Sequence, residues 1–336
     1  SSDLACYPRW KAGLYQHPEY SIFRQHPLDY LESLEKCITT ALAELTEEQK
    51  DHVIGIGVDT TGSTPVPVDK NGTPLALLDE FAENENAMFF LWKDHAAAAE
   101  ADEINKLFRN NSENDYTKYQ GDYSAEWYWA KILYAVRHDE AIRQAAYTWE
   151  EHCDWMTGIL CGETRPEKIY HSACAAGHKA LWHSEWNGLP AASVLEQLDP
   201  YLVQVRERYG NAPQPSTVKV GTLCPEWAKK LGLKESTVIS GSSFDAHAGA
   251  VGAGIQKKTF VCTMGTSCVD MFVEKPENLK GKDIQAYCGQ AENSILPGYV
   301  GVETGQAAFG DIFAWFKRLL EWPLAELAAD ENSGIS

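Results

Sequence analysis

Apolar residues recur along the chain with two different spacings. Between positions 29 and 45 they fall three or four residues apart, which predicts an amphipathic helix over this segment. The same spacing predicts helices over 87–108, 127–142, 150–160 and 312–320. The apolar positions of the first helix are Tyr30, Leu31, Leu34, Ile38, Leu42 and Leu45.

Short apolar runs alternate with these helices. The run VIGIGVD at 53–59 is typical of a buried strand. The dipeptide Asn71-Gly72 is a strong signal for a hairpin turn. Because helices and strands are mixed throughout, the sequence predicts an α/β fold. Further strands are predicted over 237–241, 259–263 and 268–273.

The net charge of the chain makes some classes of binding partner unlikely. With 48 acidic and 29 basic residues, the 336-residue chain has a formal net charge of −19. Such a surface repels nucleic-acid backbones and anionic membranes, so neither is an expected partner. A phosphate donor is still allowed, because Mg²⁺ and backbone amides can hold one locally.

Cysteine usage and hydropathy point to the cytoplasm. The nine cysteines form no C-x-x-C pair and no cluster at zinc spacing, which favours reduced thiols. No run of about 18 apolar residues occurs, so no membrane-spanning helix is predicted. At 336 residues the chain is long enough for two domains.

Several common catalytic motifs are absent from the sequence. There is no G-x-x-x-x-G-K-S/T phosphate loop and no G-x-S-x-G nucleophile elbow. Gly55 and Gly57 follow apolar residues, but the complete G-x-G-x-x-G of a dinucleotide site is missing. Lone histidines such as His152 and His183 are usually structural.

Three segments carry candidate chemistry. Around Gly62, hydroxyl residues follow a predicted strand, where ligands of open α/β sheets bind, although an ordinary capped turn is equally compatible. Asp245 stands between a predicted strand and a helix, where it either caps the helix or accepts a proton from a substrate hydroxyl. Gly265, Thr266 and Ser267 form a turn whose amides and hydroxyls could meet a phosphate, unless it is a plain hairpin turn.

Six segments occurring in this order resemble the FGGY carbohydrate kinases, and the resemblance covers essentially the whole chain. Each motif alone is weak, whereas six in order are specific. They are GIGVDTTGSTP (55–65), LWKDH (91–95), AGHKALWH (176–183), FDAH (244–247), MGTS (264–267) and ETGQAAFGD (303–311).

The resemblance implies a fold and a domain division. It implies two actin/RNase H-like α/β domains with a cleft between them. Residues 1–254 would be the N-terminal sugar-binding domain, with its first Asp-x-Gly-Thr phosphate loop missing. Residues 255–336 would begin a C-terminal ATP-binding domain that is incomplete.

The resemblance also implies roles for particular residues. Asp245 matches the catalytic base, which deprotonates the primary hydroxyl of the sugar and also contacts that sugar. The alternative for Lys179 and Glu303 is that they pair with each other or with solvent. The sugar set is Gly62, Lys179 and Glu303, and the ATP-phosphate set is Gly265, Thr266 and Ser267.

The activity implied by the resemblance is phosphorylation of a ketopentose by ATP with Mg²⁺. L-Ribulose, as an intermediate of L-arabinose degradation, is the favoured substrate. D-Ribulose and D-xylulose are alternatives, because epimers differ at one hydroxyl. A non-catalytic sugar-binding module is a further alternative, and a homodimer is left open.

Overall fold

The structure of the chain is a computed structural model that describes residues 7–265, 267–279, 282, 289–306 and 309–329. Its strands are β1 (Gln16–His17), β2 (Ile22–Gln25), β3 (Gly55–Ile56), β4 (Asp59–Thr60), β5 (Pro65–Val68), β6 (Phe89–Phe90), β7 (Thr148–Glu151), β8 (Lys219–Thr222), β9 (Val238–Ser240), β10 (Ser243–Phe244), β11 (Val261–Met264), β12 (Cys268–Glu274), β13 (Gly289–Glu292) and β14 (Val300–Gln306).

The helices lie between and around these strands. They are α1 (Pro8–Lys11), α2 (Pro27–Leu42), α3 (Glu47–Lys50), α4 (Ala98–Arg109), α5 (Tyr128–His138), α6 (Glu140–Ala145), α7 (His152–Cys161), α8 (Ala173–His178), α9 (Ala192–Leu198), α10 (Pro200–Glu207), α11 (Pro225–Leu231), α12 (Asp245–Gly252), α13 (Pro276–Leu279) and α14 (Gly310–Ala329). Among the described residues, no helix has both the length and the apolarity to cross a bilayer.

Helix α2 begins and ends close to where the apolar spacing predicted. His26 caps it, because its Nδ1 accepts a hydrogen bond from the Leu28 N–H at 3.1 Å. Pro27 occupies the first helical position, where its missing N–H removes no helical hydrogen bond. The apolar side of the helix packs near Phe89 and Trp155 through Tyr30, which is buried.

Two predictions of secondary structure are wrong in part. The run 53–59 was expected to be one buried strand, but only β3 and β4 form, and Ile54 is 81 % exposed. The reason is that β3 lies at the edge of its sheet and pairs with β9 alone. The helix expected from residue 87 begins only at Ala98, because Phe89 and Phe90 pair with β2 as the buried strand β6.

The hairpin predicted at Asn71-Gly72 forms as a tight turn whose arms meet in a single antiparallel bridge between Val68 and Pro74. The Gly72 N–H donates to the Asp69 carbonyl at 3.0 Å, and Gly72 has φ of +78°. The returning arm becomes a 3-10 helix, Leu75–Leu77, and β5 pairs instead with the distant β7.

Parallel pairing of β4 with β10 brings the candidate site residues of two segments to the same edge of the sheet. Asp59 is opposite Ser243, and Thr60 is opposite Phe244. The turn after β4 and the start of α12 therefore emerge at the same edge, as expected for the carboxyl ends of parallel strands. Antiparallel β12 and β14 form the middle of a four-stranded sheet of order β11-β12-β14-β13.

The apolar cores are separated along the chain. The largest cluster lies within residues 75–209, and three others also lie before residue 245. The remaining cluster combines Ala250 and Ile255 with Met271, Val273 and Ile295 under the four-stranded sheet. The cavity described next lies where this sheet meets α8 and α12.

Candidate active site

A cavity of about 570 Å³ brings the predicted site residues together. The turn after β4, the end of α8, the start of α12, the β11–β12 turn and strand β14 all contribute to its wall. Thr266 lies outside the described residues. The predicted residues that line the cavity are Gly62, Lys179, Asp245, Gly265, Ser267 and Glu303.

Asp245 is the first residue of α12, and its side chain is exposed to the cavity. The cap position itself belongs to Phe244, but Asp245 Oδ1 accepts a hydrogen bond from the Ala246 N–H at 2.7 Å. Partial desolvation of the carboxylate raises the pKa of Asp245, and the Asp59 carboxylate raises it further. The carboxylate thus combines part of a helix-end role with a position suited to a general base.

Two buried ionisable side chains form hydrogen bonds to the turn that contains Gly62. Glu151 accepts hydrogen bonds from the Ser63 hydroxyl and, at 2.8 Å, from the Thr64 N–H. Lys131 Nζ donates to the Ser63 carbonyl at 2.7 Å. Burial raises the pKa of Glu151 and lowers that of Lys131. These bonds keep the turn backbone in one conformation beside the cavity.

Gly62 is needed at this turn for a steric reason. A Cβ atom at Gly62 would lie within 1.9 Å of the Phe244 ring. The turn can therefore rest directly on Phe244, the residue that precedes Asp245. A larger residue would push the turn and the start of α12 apart.

Lys179 and Glu303 pair with each other in the wall of the cavity. Lys179 Nζ donates to Glu303 Oε1 at 2.9 Å, and both residues are buried, at 9 % and 5 % exposure. The pairing that the sequence left open as an alternative therefore occurs, but inside the cavity wall. The Lys179 ammonium also lies 5.2 Å from the centre of the Trp127 ring, a cation–π contact.

Two buried histidines also face Glu303. His247 Nε2 lies 2.8 Å from Glu303 Oε2, and His178 Nδ1 lies 3.6 Å from Glu303 Oε1. Although burial of Glu303 alone would raise its pKa, Lys179 and these imidazoles hold it well below its usual range. The sequence motifs contained both histidines without indicating a role, and only their positions beside Lys179 and Asp245 could have drawn attention to them.

The donor atoms of His178, His247 and Glu303 lie within 4.8 Å of one another, close enough to suggest a small cation. The ammonium of Lys179 already contacts the same carboxylate at 2.9 Å. A metal ion here would stand next to a like charge in a buried setting, which is unfavourable. We therefore interpret the cluster as an ionic network.

The β11–β12 turn is the part of the cavity suited to a phosphate. A Cβ atom at Gly265 would meet only the Ser267 carbonyl, at 3.7 Å, so a bulky anion can approach the backbone. The Gly265 N–H, however, donates to that same carbonyl at 2.7 Å. The amide is thus engaged in this structure and would have to exchange partners to bind ATP.

The side chains around the cavity are of the chemical types that can bind MgATP. Mg²⁺ prefers carboxylate and phosphate oxygens, and the exposed carboxylate of Asp59 lies close enough to Asp245 for its charge to act on that residue. A second cavity, of about 630 Å³ and lined by Arg143 and Arg208 among others, contains none of the predicted site residues.

The family models for FGGY carbohydrate kinases match most of the chain. The N-terminal domain of the family matches residues 13–252, and the C-terminal domain matches residues 260–334. The chain therefore belongs to the FGGY family of carbohydrate kinases, as the motifs predicted.

Among its relatives are proteins named ribulokinase. That of Vibrio parahaemolyticus is 46 % identical over 329 residues, which cover 98 % of this chain and 58 % of that protein. That of Shouchella clausii is 36 % identical, covering 91 % of this chain and 53 % of that protein. The chain thus spans a little over half the length of these curated relatives.

Solved structures of sugar kinases resemble the fold. A xylulose kinase from Rhodospirillum rubrum superimposes with a TM-score of 0.67 at 16 % identity, covering 95 % of this chain and 58 % of that one. A Plasmodium falciparum glycerol kinase with ADP gives 0.66 at 14 %, covering 93 % and 57 %. The likeness confirms the predicted actin/RNase H-like α/β fold.

Proposed function

We propose that this chain contributes the sugar site, the catalytic base and part of the phosphate site of an ATP-dependent ketopentose kinase. The favoured reaction converts L-ribulose to L-ribulose 5-phosphate, a step of L-arabinose degradation. One observation carries the proposal: Asp245, the Lys179–Glu303 pair and the β11–β12 turn line a single cavity. A sugar hydroxyl and a phosphate could therefore meet beside one carboxylate.

In the proposed reaction, the carboxylate of Asp245 takes the proton of the primary hydroxyl of the sugar. The oxygen attacks the terminal phosphorus of ATP, a P–O bond forms, and the bond to the ADP oxygen breaks. Such transfers depend on positioning and charge neutralisation more than on covalent catalysis. The Mg²⁺ that accompanies ATP would neutralise phosphate charge, held by phosphate oxygens and by a carboxylate such as Asp59.

Lys179 and Glu303 would orient the sugar. An ammonium donates hydrogen bonds and a carboxylate accepts them, so the pair can bind a hydroxyl from both sides. Correct orientation of one hydroxyl toward the donor supplies much of the rate advantage of a bound substrate. Gly62 would contribute its backbone from the facing turn, and Gly265, Thr266 and Ser267 would meet the phosphates.

The choice of sugar is supported by the relatives named ribulokinase. D-Ribulose and D-xylulose are the closest alternatives, because each differs from L-ribulose only in hydroxyl configuration. A cytoplasmic location and a homodimer stay predictions from the sequence and the family.

The test uses the complete gene product that contains this chain, with MgATP and each of the three ketopentoses. We expect formation of ADP that depends on the sugar, with L-ribulose giving the highest kcat/KM. Asp245→Asn keeps the size of the side chain but removes the base, so kcat should fall by ~10²-fold or more. Calorimetry should show that the variant still binds the sugar.

The matched control is Asp51→Asn, the same change at an exposed carboxylate that pairs with Lys234 and does not line the cavity. It should leave kcat close to the wild-type value. An Asp245→Asn variant with near wild-type kcat would refute the base assignment. Sugar binding without ADP formation by the wild type would instead favour a sugar-binding module.

A further inference from the structure

The Glu303 carboxylate is contacted on both of its oxygens. Oε1 faces Lys179 Nζ at 2.9 Å and His178 Nδ1 at 3.6 Å. Oε2 faces only His247 Nε2 among the ion pairs described, at 2.8 Å. The contact is ionic rather than a well-aligned hydrogen bond, since the ring nitrogen has no hydrogen-bond partner of good geometry. His247 therefore acts on the side of the carboxylate that points away from Lys179.

A thiol holds the other side of the His247 ring. Cys174 Sγ lies 2.7 Å from His247 Nδ1, and both residues are buried. Cys174 is on α8, the helix that ends at Lys179, whereas His247 is on α12 beside Asp245. An ion pair with the carboxylate requires the imidazolium form, in which both ring nitrogens carry a proton and Nδ1–H donates to the Cys174 sulfur. The thiol at Nδ1 fixes the ring in that orientation, as the outer partner of a functional histidine does.

We propose that His247 is a positioning residue of the sugar site, which holds the Glu303 carboxylate ionised and turned toward Lys179, with Cys174 fixing its ring. This inference rests on the proposed sugar role of Lys179 and Glu303. It deepens that role, because it identifies the group that keeps Glu303 in place when Lys179 is engaged elsewhere.

Binding of a sugar explains why a second cation is needed. A hydroxyl that enters between Lys179 and Glu303 would lengthen their direct 2.9 Å contact and weaken the attraction. An ionised carboxylate in a buried site is costly without a charged partner. The contact with His247 is made by the opposite oxygen, so it can persist while the sugar is bound.

His178, Asp245 and the strand neighbours of Glu303 that the structure describes do not supply that charge. His178, at the end of α8, has its pKa lowered to about 3 by burial, and its Nε2 contacts Ser294 Oγ at 2.9 Å. Asp245 on α12 is itself acidic. On the neighbouring strands the residues opposite Glu303 are Met271 and Gly289, which are uncharged.

His247 remains protonated through neutral pH. Burial by itself would lower the pKa of the imidazole, but Cys174 and then Glu303 outweigh burial and raise it to about 10. Because the pKa is raised in the folded protein, the positive charge is present throughout the neutral range. The charge should therefore be available wherever the enzyme works.

The test is His247→Gln in the complete gene product, since glutamine keeps an N–H donor but has no charge. At saturating MgATP, kcat/KM for the ketopentose should fall by ~10-fold or more, mainly through KM, while KM for ATP changes little. His247 lowers the pKa of both Glu303 and Asp245, so loss of its charge should raise both and move the acid limb of kcat/KM to higher pH. Cys174→Ser, which keeps a hydroxyl partner, should give a smaller effect in the same direction.

His152→Gln is the matched control, because His152 is also buried but packs against Tyr30 and Phe89 away from the cavity. It should lower Tm and leave the acid limb unchanged. If His247→Gln also changes only Tm, the positioning role is wrong. If the wild-type protein phosphorylates no ketopentose, the proposed function is refuted. The coupling between His247 and Glu303 can then still be tested by the following measurement.

That measurement is imidazole NMR of protein labelled with ¹⁵N-histidine, which needs no turnover. We expect His247 to stay protonated on both nitrogens at pH 7.5 in the wild type, by virtue of its raised pKa. In Glu303→Gln it should titrate at lower pH. An identical titration in both proteins would show that His247 and Glu303 are not coupled and would overturn the inference.

Discussion

At the scale of single residues, the site contains an aspartate at a helix start and a buried lysine and glutamate, types that usually lie on the protein surface. Asp245 gives one carboxylate oxygen to the helix end and exposes the group to the cavity, so capping and base roles are compatible. Lys179 and Glu303 are types that are rarely buried, yet here each satisfies the other in the cavity wall. Their charges can be held there because each has a partner and the imidazole of His247 adds a third charge.

Lys179→Met tests the sugar contact directly. Loss of the ammonium should weaken use of the ketopentose by ~1–3 kcal/mol, because a charged hydrogen bond disappears. Steady-state kinetics with each substrate varied in turn should show a much smaller change in KM for ATP. In the double variant with Glu303→Gln, the loss of stability should be smaller than the sum of the losses in the two single variants, since neither member of the pair is left as a buried charge without the other. Additive losses would indicate that the two residues act independently.

Asp59→Asn tests the electrostatic setting of Asp245. The base must be ionised, so activity falls as pH drops through the pKa of Asp245, which burial and then Asp59 raise. Removing the negative charge of Asp59 should lower that pKa and move the acid limb of kcat/KM to lower pH. Asp59→Glu keeps the charge and should restore the wild-type limb. If the acid limb of kcat/KM does not move in Asp59→Asn, then Asp59 does not influence the pKa of Asp245.

At the scale of elements, close backbone approach builds the cavity wall. Strand β13 lies so near α8 that a Cβ atom at Gly289 would come within 2.4 Å of His178 Nδ1 and 2.7 Å of Glu303 Cγ. Gly289 is also directly opposite Glu303 in the β13–β14 register. The missing side chain thus leaves the space in which His178 and Glu303 stand together.

Gly289→Ala should therefore disturb both stability and sugar use. The added methyl group cannot be accommodated without shifting His178 or Glu303, and overpacking of this kind costs about 1–3 kcal/mol. Chemical denaturation and ketopentose KM would measure the two effects. Gly249→Ala is the control, because no atom lies within 4 Å of that Cβ and the position is helical, so it should be neutral or stabilising. Equal effects at the two glycines would refute the packing argument.

At the scale of the whole molecule, the site joins the two proposed domains. We retain residues 1–254 and 255–336 as the proposed division, although one apolar cluster joins Ala250 on α12 to Met271 and Val273 across this boundary. Polar contacts cross this boundary at Ser184–Glu292, His178–Ser294 and Lys179–Glu303. A ligand held by Lys179 and Glu303 would therefore touch both parts.

Limited trypsin digestion tests the division. Lys257 and Lys258 lie in the exposed connection between α12 and β11. Because both lysines are exposed, a protease can reach this connection more easily than the buried cores. We expect early cleavage after one of these lysines, and loss of that cut in a Lys257→Gln/Lys258→Gln variant, read by mass spectrometry. First cleavage inside residues 75–209 would argue against the division.

Much of the local structure could be predicted from the sequence. Helix α12 begins at Asp245 after a short strand, as expected. The apolar runs 259–263 and 268–273 became the antiparallel pair β11 and β12. These elements depend on spacing, caps and turns within a few residues, which are visible along the chain.

Only the tertiary structure decided which side chains meet. Lys179 and Glu303 are 124 positions apart, and their ion pair exists because β14 crosses beside the end of α8. The same crossing places His247 against Glu303 and Cys174 against His247. Strand pairing elsewhere in the chain left β3 at the edge of its sheet and made Phe89–Phe90 a buried strand, against the local pattern. Local spacing reports which face of an element is apolar, but contacts between distant segments depend on how the chain packs, so the network behind Glu303 could be found only in three dimensions.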